Sequence, residues 1–424
     1  MKTKKYISCE DIQGSVYFAP RALRHCCQRF FVNGKIQGDV EIFKINNSTK
    51  INYNNILEKK NELVKKLNNK EKTPCDGCPK LENKTWDNFK IKKISIEVHS
   101  KCNARCSYCS DIFYGGLNPV YKITEIIDEL KKESAFDKEV SLTWGGGEPV
   151  LLKDFDEMCS KILSIKKPKF DDVRIYSNSF IFNKTIKKFL DSKKIILTTS
   201  TDCGTQETFE KVRGVKKGFL DIFKNLKKYS NKSPEKVIIK YIITDDNKSL
   251  NEIESFVNLI DKYKLQKCNF EISTDYKNEN LSLKTAKSLI YFYNLLSKKG
   301  AKFVFFDDHV LKRFVNVIKE NNLENEILDH INIENNNIVI WGTGYYAKYL
   351  LRKSIFLKKK NISFFVDKKN IGKNFMNYKV KEPASILRNK NSILIASSTY
   401  WREIYNHIVS LGVDKKRIIR NLVI

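Results

Sequence analysis

The sequence predicts an α/β protein in three parts, and three observations carry that reading. From residue 91 to about 306, strand-like apolar runs alternate with amphipathic helical patterns. A strand, a glycine-rich turn and a helix then follow in succession from Ile338. Ahead of both lies an opening that holds Cys9, Cys26, Cys27, Cys75 and Cys78. The expected organisation is a cysteine-rich auxiliary segment over residues 1–90, a partial (β/α) barrel over 91–306, a helical linker over 307–336 and a Rossmann-like domain over 337–424.

In the barrel region the strand candidates are residues 94–98, 140–144, 173–177, 195–199, 237–243 and 269–273. Helical patterns, among them 123–131, 185–190, 251–263 and 284–298, separate them. Six such units suggest a parallel, partly closed sheet, which sets the motifs at the C-terminal ends of strands, where parallel barrels build their ligand sites.

Composition narrows the class. The 424 residues are enough for two or three cores, and no apolar run approaches the length of a membrane span. The basic start has no apolar stretch after it, so the cytoplasm is the expected compartment. Eleven cysteines in a large chain without a secretory start suggest metal ligands rather than a disulfide framework. The formal net charge of +29 could serve nucleic acid, anionic lipid or a phosphorylated substrate. The lysines, however, are scattered in pairs and triplets such as Lys92-Lys93 and Lys358-Lys359-Lys360, the pattern of solvated faces, and nucleic acid is not the favoured partner.

Cys102, Cys106 and Cys109 follow the first barrel strand at spacings of four and three. That puts three thiols on one tight loop, where a closed zinc site would lack a fourth ligand. Three thiolates on a four-iron cluster leave one iron open to the amino and carboxylate groups of a small molecule. The alternative is a zinc knuckle that borrows a distant cysteine, or three buried reduced thiols. After the second strand come Gly145, Gly146, Gly147, Glu148 and Pro149, a run that lets backbone pass close to a ligand and supplies a carboxylate for an ammonium.

Together the two motifs resemble the radical S-adenosylmethionine (SAM) superfamily, whose signature also has an aromatic residue before the last cysteine, here Tyr108. The resemblance implies a 4Fe-4S cluster on Cys102, Cys106 and Cys109, with the SAM amino group held by Gly146, Gly147 and Glu148. It implies further that an electron donor such as flavodoxin or ferredoxin reduces the cluster, that SAM is cleaved to methionine and a 5′-deoxyadenosyl radical, and that this radical removes a hydrogen atom from a substrate carbon. Asn178 stands where the family has T-N-G, with Ser179 in place of the glycine, and could reach a ribose hydroxyl. Ser200 and Asp202, leading to Arg213 and Gly214, resemble the S-x-D-x-G and R-G pair of SPASM-linked relatives. Helix capping and a surface ion pair are the alternatives for these three. Cys203, at the same strand end, is a candidate to return a hydrogen atom to a substrate radical, or a buried thiol with a packing role.

In the opening segment Cys9, one of Cys26 and Cys27, and the Cys75-x-x-Cys78 pair make a four-thiolate set, suited to a second iron–sulfur cluster or to zinc. The layout resembles the SPASM auxiliary-cluster segment, although that segment normally follows the barrel. In the C-terminal part Gly342 and Gly344 open a helix after a strand, and the next strand ends in Asp367. This arrangement suits a nucleotide phosphate and a ribose, or else serves close helix–sheet packing. It resembles Rossmann-type modules of sugar-modifying and sugar-nucleotide enzymes. Three functions follow: a radical SAM enzyme acting on a sugar nucleotide or envelope glycan, a peptide-modifying maturase, and a nucleic-acid-binding or redox-sensing iron–sulfur protein without turnover.

Overall fold

The computed structural model describes residues 5–47, 49–109, 116–277, 279–301, 303–327, 333, 335–397 and 400–419. The chain divides into two compact units, residues 1–200 with 210–237, and residues 201–209 with 238–424.

The first unit is built on a run of parallel strands: β1 (Ser15–Ala19), β4 (Ile91–Ile96), β5 (Phe136–Trp144), β6 (Lys169–Tyr176) and β7 (Ile196–Ser200). Beyond β1 the edge is completed by two antiparallel strands, β2 (Ala22–Arg24) and then β3 (Glu41–Lys44). In register across the parallel strands lie Phe18, Ile96, Trp144, Ile175 and Leu197, each buried. This row forms one face of the sheet, and the Trp144 ring meets Phe155 of the following helix edge-on at 5.2 Å. Helix Ile123–Lys132 buries Ile123, Ile126, Ile127 and Leu130, the i, i+3, i+4, i+7 stripe of a helix with one apolar side. Polar residues occupy the other face of the sheet, with Tyr17, Ser95, Thr143 and Arg174 in register.

The strand and helix candidates of the barrel region all appear, within a few residues of their expected bounds. The expected boundary near residue 90 does not separate two sheets, because β1 and β4 pair in parallel across it. Helix α1 (Tyr53–Asn68) packs over the opening segment, capped by the Asn52 side chain. The buried Lys60 of α1 donates to the carbonyls of Ile12 and Ser15 at 2.7 Å and of Asp11 at 3.3 Å.

In the second unit, β8 (Val237–Ile243), β9 (Asn269–Thr274) and β10 (Phe303–Phe306) are parallel. Tyr241, Phe256 and Phe292 cluster edge-to-face at centroid distances of 4.8–5.5 Å. The start of the expected linker is the helix Asp308–Asn321, whose Val310, Phe314 and Ile318 are fully buried. The last sheet has the spatial order Asn374–Phe375, Tyr378–Lys381, Asn361–Val366, Asn337–Trp341, Ser392–Ile395 and Ile418–Ile419, parallel except at its first strand. The chain thus enters at a central strand, builds toward one edge, then crosses to the other side. Among the described residues no helix is long and apolar enough to cross a membrane.

Lys60→Met would leave three buried carbonyls without their donor. The expected cost is about 2–4 kcal/mol of unfolding free energy, read as a lower midpoint in urea with an unchanged slope.

Candidate active site

The loop after β4 and the loop after β5 are stitched together through their backbones. Gly147 N–H donates to His99 O at 3.2 Å and Glu148 N–H to Lys101 O at 2.7 Å. A side chain at Gly147 would place its Cβ 2.0 Å from Lys101 O, so only glycine allows this approach. Gly146 adopts a φ of 102°, in the left-handed region. The glycine run is therefore explained by close loop contact before any ligand is considered.

Glu148 is buried at the centre of this seam. Its Oε1 accepts from Ser177 Oγ at 2.9 Å, and its Oε2 from Asn178 N–H at 2.6 Å. Burial pushes its carboxyl up to about 7 against the lowering effect of these donors and of the nearby Arg213 guanidinium. Asn178 in turn donates to Asn103 Oδ1 at 2.6 Å and lies 3.8 Å from Cys102 Sγ, so its amide ties the third strand end to the cysteine loop. Ser179 has a φ of 57°, which accounts for glycine in the resembling motif, and it packs its hydroxyl 2.7 Å from that of Thr199.

A second seam joins the cysteine loop to the turn around Arg213. Arg105 N–H donates to Arg213 O and Ser107 N–H to Val212 O. Arg213 Nη1 donates to the Tyr108 hydroxyl at 2.6 Å. The aromatic residue of the cysteine signature and the arginine of the distant R-G pair are thus direct partners, which spacing alone does not reveal.

One cavity collects these groups. It is lined by Cys102, Ala104, Cys106, Tyr108, Cys109, Gly146, Gly147, Glu148, Tyr176, Ser177, Asn178, Thr198, Ser200 and Arg213. Cys102, Cys106, Cys109, Tyr108, Gly146, Gly147, Glu148, Asn178, Ser200 and Arg213 were expected from the sequence to meet. Ala104, Tyr176, Ser177 and Thr198 were not, although alternation along β6 and β7 turns the side chains of Tyr176 and Thr198 to the same polar face. Asp202 and Cys203 are not among the lining residues. Asp202 is fully buried with a φ of 59°, and its Oδ1 accepts from Ile242 N–H of β8 at 2.7 Å, a bond to a strand forty residues on. Cys203 is likewise without exposed surface.

In the opening segment Cys9 and Cys75 are buried in one small core with Ile12, Val40, Leu63 and Leu67, and Cys26 and Cys78 pack against it. Burial pushes the thiols of Cys9 and Cys75 up to about 11 and about 12, and the neighbouring cysteines add to both shifts. Cys27 is not among the residues of this core, and the charges of Lys93 and Glu97 act on its thiol. Among the described residues no three such side chains already converge at metal-binding distance, in this set or on the loop after β4.

At Gly342 the φ is 119°, and an added Cβ would lie 2.9 Å from Ala396 O. At Gly344, the N-cap of helix Tyr345–Lys353, an added Cβ would meet nothing within 4 Å. Asp367 Oδ2 accepts from the hydroxyl and N–H of Thr343 at 2.7 and 3.2 Å, and Oδ1 from Lys369 N–H at 2.8 Å. Its carboxylate therefore shapes the glycine turn.

With this geometry in place, comparison with known proteins identifies the barrel. A family model described as the radical SAM superfamily matches residues 96–260. Residues 96–260 are a radical SAM domain. A second model, described as C2185-like, N-terminal, matches residues 334–419. A GTP 3′,8-cyclase of Clostridium botulinum is 28% identical over 183 residues, 41% of this chain and 54% of that protein. A probable GTP 3′,8-cyclase of Methanocaldococcus jannaschii is 27% identical over 122 residues, 29% of this chain and 40% of that protein. The chain spans about half the length of these curated relatives. Among solved structures, SuiB of Streptococcus suis bound to precursor peptide SuiA superposes with a TM-score of 0.41 at 14% identity, covering 62% of this chain and 56% of that one.

The raised Glu148 carboxyl gives a stability slope of known sign. Between about pH 4.5 and 7 the folded state holds a proton that the unfolded state releases, so stability falls as pH rises through this window. In the unliganded chain Glu148→Gln should remove that slope, worth on the order of 3 kcal/mol, in urea titrations compared at pH 5 and pH 8.

Proposed function

We propose that the chain is a radical SAM enzyme that abstracts a hydrogen atom from a nucleotide-borne sugar or a related glycan. The observation that carries the reading is the convergence of Cys102, Cys106, Cys109, Glu148 and Arg213 on one cavity. Three thiols from a single loop suit a cluster with one open iron, and Glu148 in the adjoining wall suits the ammonium of SAM. When bound, the cluster supplies the electron for reductive SAM cleavage. The chain's own groups do the positioning: Tyr108 and Arg213 brace the cysteine loop, while Ser177 and Asn178 aim the Glu148 carboxylate. Ser200 and Thr198 offer hydroxyls on the same wall for the nucleoside part. The net charge of +29 complements an acidic electron donor of the flavodoxin or ferredoxin kind.

The substrate class draws support from the C-terminal sheet, read as a Rossmann-like nucleotide module. The open space at Gly344 lies at a helix N-terminus, where backbone N–H groups and the helix dipole favour a phosphate. The relatives named as GTP 3′,8-cyclases carry a nucleotide in their name. A second reading, a peptide-modifying enzyme, is favoured by the gathering of Cys9, Cys26, Cys75 and Cys78, which suits a second iron–sulfur cluster or zinc.

Replacing Cys102, Cys106 and Cys109 together with Ala should abolish 5′-deoxyadenosine formation from SAM and dithionite in the anaerobically reconstituted protein. The same variant should retain iron and sulfide on the four-cysteine set. Unchanged 5′-deoxyadenosine would sink the central reading, and a variant holding only zinc would assign the auxiliary site to that metal.

Calorimetric titration of the full chain with sugar nucleotides should give binding that Gly344→Val weakens at least tenfold, since its side chain would enter the phosphate space. Equal binding by the variant would remove the C-terminal module from substrate recognition and raise the peptide reading.

A further inference from the structure

One polar atom beside the cavity has no role in the site as described. Glu97 follows β4, and its N–H donates to Phe18 O at 2.8 Å, continuing the parallel pairing with β1. Two residues after Ser95, its side chain returns to the polar face of the sheet. A Cβ added at Gly145 would stand 3.6 Å from Glu97 Oε1 and 3.7 Å from the Cβ of Tyr176. Tyr176 pairs in register with Thr198, and both line the cavity. Glu97, Gly145, Tyr176 and Thr198 are therefore successive positions of one row. Three strand spacings separate its ends, roughly 14 Å, about the length of a nucleoside or a disaccharide.

Glu97 keeps some exposed surface, but its Oε2 is shut from solvent and has no hydrogen-bond partner. The surroundings explain why. Tyr17 interacts with the carboxyl through its hydroxyl, and the guanidinium of Arg24 lies over the Tyr17 ring. The nearby arginines are drawn to another carboxylate, with Arg24 3.7 Å and Arg29 3.1 Å from Asp39. A buried acceptor left without a donor is unfavourable, and a turn of the carboxyl toward a ligand hydroxyl removes that cost. Arg24 already places positive charge near this carboxyl, so a neutral hydroxyl suits the position better than a second cation.

We propose that Glu97 recognises the substrate by accepting a hydrogen bond from a sugar hydroxyl, so fixing which carbon faces the SAM-binding wall. This rests on the reading of the adjoining cavity as the SAM site. It names the residue on the substrate side of that cavity, which neither sequence motif contains.

The experiment uses anaerobically reconstituted full-length protein saturated with SAM, with GTP, UDP-glucose and UDP-N-acetylglucosamine as probes. At least one probe should bind, and Glu97→Ala should weaken it roughly tenfold to a hundredfold. Glu97→Gln, which retains an acceptor oxygen, should lose less. Iron content and SAM affinity should match the wild type in both variants, a split that a merely structural role would not produce. A deoxy analogue lacking the recognised hydroxyl should lose affinity for the wild type and lose nothing further for Glu97→Ala. Equal probe binding by wild type and Glu97→Ala would overturn the proposal, as would a wild type that cleaves SAM yet binds none of the probes. A wild type that binds the probes without forming 5′-deoxyadenosine would count against the catalytic reading, while a loss on Glu97→Ala would still support the recognition role.

Discussion

Everything in the candidate site hangs on the backbone seam between the loops after β4 and β5. The two hydrogen bonds from Gly147 and Glu148 bring the cysteine loop and the glycine loop to the distance of a β-ladder, although neither segment is a strand. Once that seam is formed, Glu148 has nowhere to go but the buried position between Ser177 and the Asn178 backbone. Asn178 then reaches back to Asn103, so three successive strand ends lock one another. The arrangement places a carboxylate in a dry wall with its donors already in position, the kind of preorganisation that binding a small cation requires.

Much of this was legible in the sequence, for identifiable reasons. The barrel strands and helices declared themselves through periodicity, because the row Phe18, Ile96, Trp144, Ile175 and Leu197 has to be apolar wherever helices cover it. The cysteine and glycine motifs were legible because their spacing is local. What stayed hidden was long-range pairing. Tyr108 and Arg213 are 105 residues apart and meet only when the turn at Gly214 folds against Arg105.

Function-like residues also acquired structural duties that a motif cannot show. Asp367 holds the glycine turn through Thr343, Asp202 ties its loop to β8 through Ile242, and Cys203 is fully buried. The choice between Cys26 and Cys27 could not be read from the chain, since adjacent residues point to different sides of an extended segment. Only the fold shows Cys26 joining Cys9, Cys75 and Cys78.

The parallel pairing of β1 with β4 has a consequence for the order in which the chain can assemble. During synthesis β1 emerges ahead of its antiparallel neighbours β2 and β3, which follow within thirty residues, so that side can be satisfied at once. Its other side must wait until residue 96 has left the ribosome, after α1 and the last cysteine of the four-thiol set. The nascent opening segment is thus held as an unfinished sheet with one bare edge, and closure of that edge coincides with the arrival of the barrel's own cysteine loop. The cysteines of the opening segment are thus all synthesised before the sheet can close, and Cys102, Cys106 and Cys109 only after the last residue of β4.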